Sequence, residues 1–488
     1  MPSLKNTFVL LLLVLTGTVS GQIRFRNVLG NTGYDIGMSA QQTFDLGYIL
    51  CGSTTSVGSG NTDIYVIKTD SLGIPKNETS IGGFNVDRGT CIKQTLDSGY
   101  VVLGYTNDLS GNGGYDICVI KLDAALHVKW KKNYGGSDWE FGNRIQQTSD
   151  GGYIICGGTY SYGKGDEDYF LIKTNAIGDT LWTRTYGGSD QDEAKAVIET
   201  KDGGYILTGF SMSTDTLGDF YTVKTNNLGD TLWTNIYGGT KRDFAHDIIE
   251  AQAGGYIVAG ETQSFGAGKT DALILEITDA GKSDRTFIGG EKEDDTAVGI
   301  TQRKDGMIAF VGVTFNYGLA NGDILFGLLN SDLTYNTSAT FGSNGKETTS
   351  SVACTADDGF IVCGTTNGFR NFLDDMFLVK TGSNGRADVP AKVLVTSIHE
   401  MSDNPSSFTI YPNPADNQVT IRFSTSIHSK VTITITDMLG RTLKQENVHS
   451  INDQTLIQLG DLSDGAYLIT IASDNSFFSR PLVVKHAE

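Results

Sequence analysis

A single structural unit decides the fold, and it reads Glu199-Thr-Lys-Asp-Gly-Gly-Tyr-Ile-Leu-Thr-Gly-Phe210, then Asp219-Phe-Tyr-Thr-Val-Lys-Thr-Asn-Asn-Leu-Gly-Asp230, then Leu232-Trp-Thr-Asn-Ile-Tyr-Gly238. Asp202-Gly203 favours positive backbone dihedrals and predicts a tight two-residue hairpin turn, which joins a strand ending near Thr200 to a strand over residues 205–210. A third strand over 220–224 and a fourth over 232–237 follow, separated by the turn residues 226–230. The unit therefore predicts four antiparallel strands in about fifty residues.

The same unit recurs along most of the chain. Its Gly-aromatic step, once with methionine, returns every 51 to 53 residues at Gly47-Tyr48, Gly99-Tyr100, Gly152-Tyr153, Gly204-Tyr205, Gly255-Tyr256, Gly306-Met307 and Gly359-Phe360. A period near fifty residues, built from short β-branched and aromatic segments, is typical of one β-propeller blade per repeat. We therefore expect an all-β fold, a seven-bladed β-propeller over residues 22–385, in which an N-terminal strand at residues 23–29 completes the last blade and leaves no free edge.

The first residues are typical of an exported protein. A short charged start, an apolar run over 8–15 and small residues up to Gly21 predict a signal peptide over residues 1–21. No later stretch reaches the roughly twenty apolar residues of a membrane-spanning helix. The net charge of -19 disfavours nucleic acid and anionic membranes as partners, whereas cations and neutral polymers such as glycans stay possible.

Six cysteines lie within the repeats, at Cys51, Cys91, Cys118, Cys156, Cys354 and Cys363. Three of them share one position of the second strand and are interpreted as small core side chains. Cys354 and Cys363 flank the Asp358-Gly359 turn, so a disulfide across that hairpin is an alternative in an exported protein. No Cys-x-x-Cys spacing or Cys/His group indicates a metal site.

The composition changes near Arg386. Residues 386–406 contain Pro390 and Pro405 with several serines and aspartates, which predicts a linker. Alternating apolar runs then return between turns, and they predict a small β-sandwich over residues 407–488.

This tail carries four ordered motifs: Tyr411-Pro412-Asn413-Pro414, Asp437-Met-Leu-Gly440-Arg441, Leu462-Ser-Asp-Gly465-Ala-Tyr467 and Leu482-Val-Val-Lys485. It resembles the type A C-terminal sorting domain of the type IX secretion system of Bacteroidetes. The resemblance implies Sec export, recognition by the outer-membrane translocon, removal of the domain, and release or attachment at the cell surface. The repeats also resemble uncharacterised β-propeller repeats of secreted bacterial proteins, a family without a single activity to carry over.

Two acidic positions recur in every repeat. One precedes the third strand, at Asp63, Asp116, Asp168, Asp219, Asp271, Asp323 and Asp375, and the other follows the fourth, at Asp35, Asp87, Glu140, Asp192, Asp243, Asp294 and Glu347. Ringed carboxylates could bind Ca²⁺. Because every repeat has them, we interpret them as structural residues that accept backbone N–H bonds, and we expect no cofactor or metal.

A site particular to this chain should lie where the repeats differ. The loops after the second and fourth strands, which share one face of a propeller, carry the aromatic residues expected to stack on a ligand: Trp139, Tyr160, Tyr162, Phe265 and Tyr317. The alternative is that these rings pack within the fold. No zinc-protease, nucleophile-elbow or phosphate-loop motif is present, although two carboxylates suited to glycoside hydrolysis could still meet across the face.

The sequence therefore predicts a secreted or surface-attached binding or adhesion module for an extracellular glycan or protein, exported through the type IX machinery. Two alternatives remain at this point. One is a glycosidase or lyase that uses carboxylates of the loop face, and the other is a structural surface component with neither activity.

Overall fold

The computed structural model describes residues 22–58, 61–107, 113–213, 217–318, 321–369, 373–395, 408–423, 431–437, 442–448, 454–473 and 476–486. Within these residues the protein is built of strands and contains no helix. The predicted signal peptide, residues 1–21, lies outside the described residues.

Six consecutive sheets have four antiparallel strands each, joined in chain order. Sheet 1 contains β2 (Asp35–Gln42), β3 (Tyr48–Thr54), β4 (Asp63–Thr69) and β5 (Pro75–Ile81). Sheet 2 contains β6 (Asp87–Gln94), β7 (Tyr100–Thr106), β8 (Asp116–Leu122) and β9 (Val128–Tyr134). Sheet 3 contains β10 (Glu140–Gln147), β11 (Tyr153–Thr159), β12 (Asp168–Thr174) and β13 (Thr180–Tyr186).

Sheet 4 contains β14 (Asp192–Glu199), β15 (Tyr205–Ser211), β16 (Asp219–Thr225) and β17 (Thr231–Tyr237). Sheet 5 contains β18 (Asp243–Glu250), β19 (Tyr256–Thr262), β20 (Asp271–Ile277) and β21 (Ser283–Gly289). Sheet 6 contains β22 (Gly299–Gln302), β23 (Ile308–Thr314), β24 (Asp323–Leu329) and β25 (Tyr335–Phe341). The four strands predicted for each repeat are confirmed.

Sheet 7 joins the two ends of the repeat region. Its strands β26 (Glu347–Cys354), β27 (Phe360–Thr366) and β28 (Asp375–Thr381) are followed by β1 (Phe25–Gly30), which pairs antiparallel with β28 as expected from the sequence. A fifth strand, β29 (Ala391–Val395), pairs parallel with β1. Part of the segment predicted to be a linker is therefore a strand, because its apolar run can pair with the outer edge of β1.

Apolar side chains pack between neighbouring sheets. The contact between sheets 1 and 7 is typical: Tyr48 and Leu50 of β3 share a buried cluster with Ile361 and Cys363 of β27 and with Leu29 of β1. The first strand of each sheet contacts the first strand of the next. We call the space bordered by the first strands β2, β6, β10, β14, β18, β22 and β26 the central space.

Hydrogen bonds between sheets repeat at one end of the first strands. The last Gln or Glu of a first strand accepts from a backbone N–H in the first loop of the preceding sheet, as Gln94 Oε1 does from Phe44 at 2.8 Å. The series continues at Gln147–Leu96, Glu199–Ser149, Glu250–Lys201 and Gln302–Gln252. It also joins sheet 1 to sheet 7, where Gln42 Oε1 accepts from Ala356 N at 2.7 Å.

Cys354 occupies the corresponding position in sheet 7, and the contact there differs. Arg303 of sheet 6 reaches across instead, and its Nη1 donates to the carbonyls of Asp358 and Ser383 at 2.9 and 2.8 Å. The Arg303 side chain thus makes the contact between sheets 6 and 7 that a Gln or Glu side chain makes between the other sheets.

One local expectation was wrong, and one alternative is not seen. The Asp202-Gly203 turn is a longer loop, since Glu199 pairs with Tyr205 and Thr200 N donates to Gly204 O at 2.9 Å. The Asp202 side chain, which accepts from the Thr200 hydroxyl at 2.5 Å and from Gly204 N at 3.0 Å, stabilises it. The hairpin disulfide is also absent: Cys354 pairs with Phe360 and Cys363 with Ser351, and all six cysteines are free.

The C-terminal residues form two further sheets. One contains β30 (Phe408–Tyr411), β31 (Gln418–Phe423) and β34 (Gln454–Gln458). The other contains β32 (Val431–Asp437), β33 (Thr442–Val448), β35 (Gly465–Ser473) and β36 (Ser476–Val484). Residues from both sheets share one buried cluster, including Val419, Ile433, Ile457 and Ile469, as a two-sheet sandwich requires.

Candidate functional site

A cross-strand pair differs from sheet to sheet at one end of the central space. The pair consists of the second residue of the first strand and the residue opposite it on the second strand. In sheets 2 to 5 it is charged or aromatic: Arg88–Tyr105, Phe141–Gly158, Glu193–Phe210 and Phe244–Glu261. In sheets 1 and 7 it is Ile36–Ser53 and Thr348–Thr365. We call the end of the central space that carries these pairs the mouth.

A bulge in the first strands adds further side chains to the mouth. The register shifts by one residue in each of these strands except β22, for example between Gly142 and Arg144. The extra residues in sheets 3 to 5 are Asn143, Lys195 and His246. Bulges turn side chains away from the regular alternation, and they are common beside functional sites.

Five rings meet on the side of the mouth formed by sheets 2 and 3. We call them the aromatic cluster: Tyr105, Tyr115, Trp139, Phe141 and Tyr160. Tyr105 lies edge to face with Tyr115 and Phe141, at centroid distances of 5.5 and 5.1 Å. Trp139 lies edge to face with Tyr160 at 6.0 Å and with Tyr115 at 6.3 Å. Trp139 remains 48% exposed, so the cluster offers an aromatic surface to solvent.

Glu167 is buried beside the aromatic cluster. Its Oε2 accepts hydrogen bonds from the Tyr160 hydroxyl at 3.0 Å and from Gln191 Nε2 at 2.8 Å. Gly158 makes room for it, because a Cβ atom there would lie 1.9 Å from Glu167 Oε1. Burial, together with the neighbouring charge of Glu193, raises the pKa of Glu167 to about 7. This carboxyl group can therefore carry a proton near neutral pH.

Glu193 lies on the adjacent first strand and has two polar partners. Asn143 Nδ2 donates to its Oε1 at 2.9 Å, and Lys195 Nζ lies 2.6 Å from the same oxygen. Both partners are bulge residues. The Glu193 charge is thus balanced by a cation on its own strand.

The adjoining side of the mouth is formed by sheets 4 and 5. Phe210 and Phe244 stack at 4.1 Å with an interplanar angle of 17°, and the Arg242 guanidinium lies 4.8 Å from the Phe244 centroid. Arg242 also forms an ion pair with Glu261, whose other oxygen lies 3.5 Å from His246 Nε2. Although burial opposes the change, His246 and Arg242 lower the pKa of Glu261.

An ion pair crosses the central space below the mouth. Arg144 of β10 lies 2.6 Å from Asp247 of β18, and Asp247 also accepts from Ile300 N of β22 at 3.1 Å. Arg144 is two pairing positions deeper than Phe141, or about 7 Å along the strand. The mouth therefore has a polar floor.

The predicted ligand-binding residues fall into two groups. Trp139 and Tyr160 belong to the aromatic cluster. The other three lie at corresponding loop positions of three different sheets: Tyr162, Phe265 and Tyr317. The backbone N–H of each donates to the hydroxyl of the Thr three residues before it. The Tyr162 hydroxyl donates to Gly135 O at 3.2 Å, and its ring lies 5.6 Å from Phe170. The structure does not bring these three rings together.

Sequence reasoning missed Tyr105, Tyr115, Phe141, Glu167 and Glu193. A signal for them was available. When the repeats are aligned on their recurring acids, these residues stand at positions whose chemistry changes from repeat to repeat. The ligand site was expected on loops, whereas Tyr105, Phe141 and Glu193 lie on strands.

The recurring acids lie close to their own loops. All seven carboxylates before the third strands are buried. Asp168 Oδ2 accepts from Lys164 N and Gly165 N at 2.7 and 3.0 Å, and Asp271 Oδ2 accepts from Gly268 N at 3.0 Å. These contacts fit the structural interpretation. In the described part of the chain, no three His, Cys, Asp or Glu side chains are grouped as metal ligands would be.

One of the recurring acids after the fourth strands was predicted wrongly: it was expected at Asp294, one residue before its position in the structure. Asp295 is the residue that accepts from Glu291 N at 3.1 Å, as Asp243 does from Gly239 N at 2.8 Å. The longer acidic stretch of this repeat, Glu291–Asp295, hid the correct register in the sequence.

The sorting motifs lie where the two C-terminal sheets meet. Asn413 Oδ1 accepts from Val483 N at 2.8 Å, and Lys485 N donates to Ala415 O at 2.8 Å. The Tyr467 hydroxyl donates to Ser463 O at 2.7 Å, which fixes the turn that contains Gly465. Tyr411, Pro412 and Asp437 are at or next to strand ends, and Pro414 lies in the connection between β30 and β31, whereas Gly440 and Arg441 lie outside the described residues.

Residues 409–485 match the family of secretion system C-terminal sorting domains. The predicted resemblance of the tail is confirmed. The chain is exported through a type IX secretion system to the cell surface or the extracellular space, and its sorting domain is recognised by that machinery. Among the described residues, no helix is long and apolar enough to span a membrane.

About a third of the chain is similar to part of a curated protein. This is the regulatory protein FlaEY of Caulobacter vibrioides, which is 24% identical over 200 residues, covering 35% of this chain and 20% of the relative. The chain thus aligns with about a fifth of the length of that protein.

Similar solved structures are distant. The acylaminoacyl peptidase of Pyrococcus horikoshii has a TM-score of 0.42 at 9% identity, covering 80% of this chain and 57% of the peptidase. Fructan 1-exohydrolase IIa of Cichorium intybus has a TM-score of 0.28 at 8% identity, covering 94% of this chain and 91% of the exohydrolase. Likenesses this remote say nothing about the activity of this chain.

Proposed function

We propose that this protein is a secreted seven-bladed β-propeller that binds an extracellular glycan at the mouth of its central space. The propeller spans residues 22–385, with β29 as an added edge strand, and follows a signal peptide over residues 1–21. The domain at 407–488 directs secretion and is then removed.

Contacts between sheets 1 and 7 support a closed ring. β1 supplies the fourth strand of sheet 7, the buried cluster around Leu29 joins both sheets, and Gln42 extends the series of inter-sheet hydrogen bonds to Ala356. Each contact joins residues more than three hundred positions apart. A ring held by both chain ends has no free inner edge, which suits a protein outside the cell.

The asymmetry of the mouth is the observation that carries the binding proposal. Pairs with charged or aromatic side chains occur in sheets 2 to 5, whereas sheets 1 and 7 have Ile36–Ser53 and Thr348–Thr365 there. A ring of equal repeats needs no such asymmetry for stability. Concave sites that combine aromatic walls with a few converging polar groups are the usual form of a ligand site.

The chemistry of the mouth favours a sugar. The aromatic cluster and the Phe210–Phe244 stack offer apolar faces for the C–H side of a pyranose ring, and Tyr160, Gln191, Asn143 and Glu193 offer hydrogen bonds for its hydroxyls. These four groups are half-buried and are held in place by hydrogen bonds to protein partners.

A screen of the purified chain against immobilised glycans, with release of reducing sugars assayed in the same wells, tests the proposal. Saturable binding that is lost in Phe141→Ala and kept in Trp182→Ala is expected. Trp182 is the matched control because it lies on β13, the outer strand of sheet 3, where its ring packs against Tyr205 of sheet 4. Binding to proteins but to no glycan would contradict the proposal.

A glycosidase is the second candidate, and the environment of Glu167 favours it. A carboxyl group whose pKa is about 7, beside a second carboxyl group, that of Glu193, is the pairing that glycoside hydrolysis uses for an acid and its partner. Release of reducing sugar by the wild-type chain, abolished in Glu167→Gln, would replace the binding function with this one.

A further inference from the structure

The positively charged side chains at the mouth differ in whether a carboxylate neutralises them. Lys195 lies 2.6 Å from Glu193, and Arg242 forms an ion pair with Glu261. Arg144 on the floor is paired with Asp247. These three cations are therefore neutralised within the site.

Arg88 is the exception. It is exposed at the second position of β6, and in the described part of the chain no carboxylate lies within 4.0 Å of its guanidinium. The residue directly opposite it on the neighbouring strand β7 is Tyr105. Burial raises the pKa of Tyr105 while Arg88 opposes the rise, so this hydroxyl stays neutral and leaves the guanidinium charge uncompensated.

Arg88 lies at the border of the aromatic cluster. Its partner Tyr105 contacts Phe141 at 5.1 Å and Tyr115 at 5.5 Å. A ring stacked on these side chains would place a substituent at its edge within reach of the guanidinium. Guanidinium groups bind carboxylates in a planar, two-point geometry that an ammonium group does not match.

The charge of Arg88 is opposite to the charge of the whole chain. Lys195 and Arg242 are paired with carboxylates of the mouth, whereas Arg88 is not, and the proton that Glu167 can hold lowers the local negative charge at or below neutral pH. The net charge of -19 is spread over 488 residues, and salt screens charges beyond about 10 Å at 0.1 M. The mouth is thus suited to an anion despite the acidic composition.

We propose that the mouth selects an acidic saccharide, a glycan bearing uronic acid carboxylates, with Arg88 binding the carboxylate while the sugar ring stacks on Tyr105 and Phe141. This inference rests on the proposed glycan-binding function. It assigns Arg88 as the residue that determines specificity, and the aromatic cluster as the residues that supply most of the affinity.

Calorimetric titration of the full chain with hexagalacturonate and hexamannuronate, each beside its carboxyl-reduced neutral counterpart, tests the inference. The wild-type chain should bind at least one acid about tenfold or more tightly than its neutral counterpart. Arg88→Gln should abolish that difference and leave the affinity for the neutral oligosaccharide unchanged. Arg184→Gln is the control, because Arg184 lies over Trp182 on the outer strand β13 and should have no effect.

The other outcomes separate the two proposals. Equal affinity for acid and neutral oligosaccharides, lost in Phe141→Ala and unchanged in Arg88→Gln, would overturn the acidic ligand and keep the glycan-binding function. Failure of all four oligosaccharides to bind would overturn both. Circular dichroism and thermal melting of Arg88→Gln should match the wild type, since the replaced side chain is exposed.

Discussion

Arg144 lies 2.6 Å from Asp247, although their strands β10 and β18 are separated by β14. The pair therefore joins sheets 3 and 5 directly, and the hydrogen bond from Ile300 N adds sheet 6. This contact gives the mouth a floor. It also makes three repeats depend on one another in a way that neighbouring-sheet packing does not.

We expect Arg144→Met to lower the free energy of unfolding by about 3 kcal/mol, because it leaves the mostly buried Asp247 carboxylate without its cation. Urea denaturation measures the change. The double variant Arg144→Met with Asp247→Leu should cost less than the sum of the single changes. Arg184→Gln, which removes an exposed pair with Asp230 at 3.4 Å, should change stability by less than about 0.5 kcal/mol. A loss that small for Arg144→Met would refute the role of the pair.

Glu167 should make stability depend on pH. Its pKa is about 7 in the folded chain against an ordinary value of 4.5, so between these values the folded chain holds a proton that the unfolded chain releases. The free energy of unfolding contributed by this group therefore falls as the pH rises through that window, by on the order of 3 kcal/mol in total. Glu167→Gln should remove this dependence.

The comparison of wild type and Glu167→Gln isolates the effect, since all other groups titrate in both. Denaturation at pH 5 and pH 8 should show the variant gaining stability relative to the wild type at the higher pH. A difference between the two proteins that is the same at both pH values would show that Glu167 ionises normally.

Leu29 tests the contribution of the N-terminal strand. It is fully buried between sheets 1 and 7, so Leu29→Ala should cost about 2–4 kcal/mol and should shift the whole unfolding transition. Val393→Ala is the matched control on the neighbouring strand β29, where the side chain is 42% exposed, and it should cost less than about 0.5 kcal/mol. Equal small effects would place β1 outside the cooperative core.

The sorting domain can be tested by truncation. A chain that ends at residue 406 lacks the matched segment 409–485, so it should reach the periplasm and stay there. Cell fractionation with immunoblotting compares it with the full chain. Appearance of the truncated chain outside the cell would show that export does not need this domain.

The sequence predicted the repeating strands well, because the alternating apolar residues and the turn residues of each repeat lie within about fifty residues. It failed where partners come from different repeats. Arg144 and Asp247 are 103 positions apart, and Arg144 stands just past a bulge that no local pattern indicates. The pairing of β29 with β1 depends likewise on an edge formed by the other end of the chain.

The aromatic site was predicted in part for the same reason. Trp139 and Tyr160 were found because exposed rings in loops stand out. Tyr105 and Phe141 lie on strands, where aromatic residues are ordinary, and only their meeting at 5.1 Å across two sheets distinguishes them. The pKa of Glu167 is raised because its side chain is buried against Gly158, and a single sequence does not reveal this contact.

In the proposed function the ligand lies at the mouth rather than on the loop rings Tyr162, Phe265 and Tyr317, and a paired titration distinguishes the two places. Phe141→Ala and Phe265→Ala each remove one phenyl ring, one inside the aromatic cluster and one in a loop of sheet 5 that is 45% exposed. With a glycan that binds the wild-type chain, Phe141→Ala should weaken affinity at least about tenfold, and Phe265→Ala should leave it unchanged. The reverse pattern would contradict the account and place the ligand on the loops.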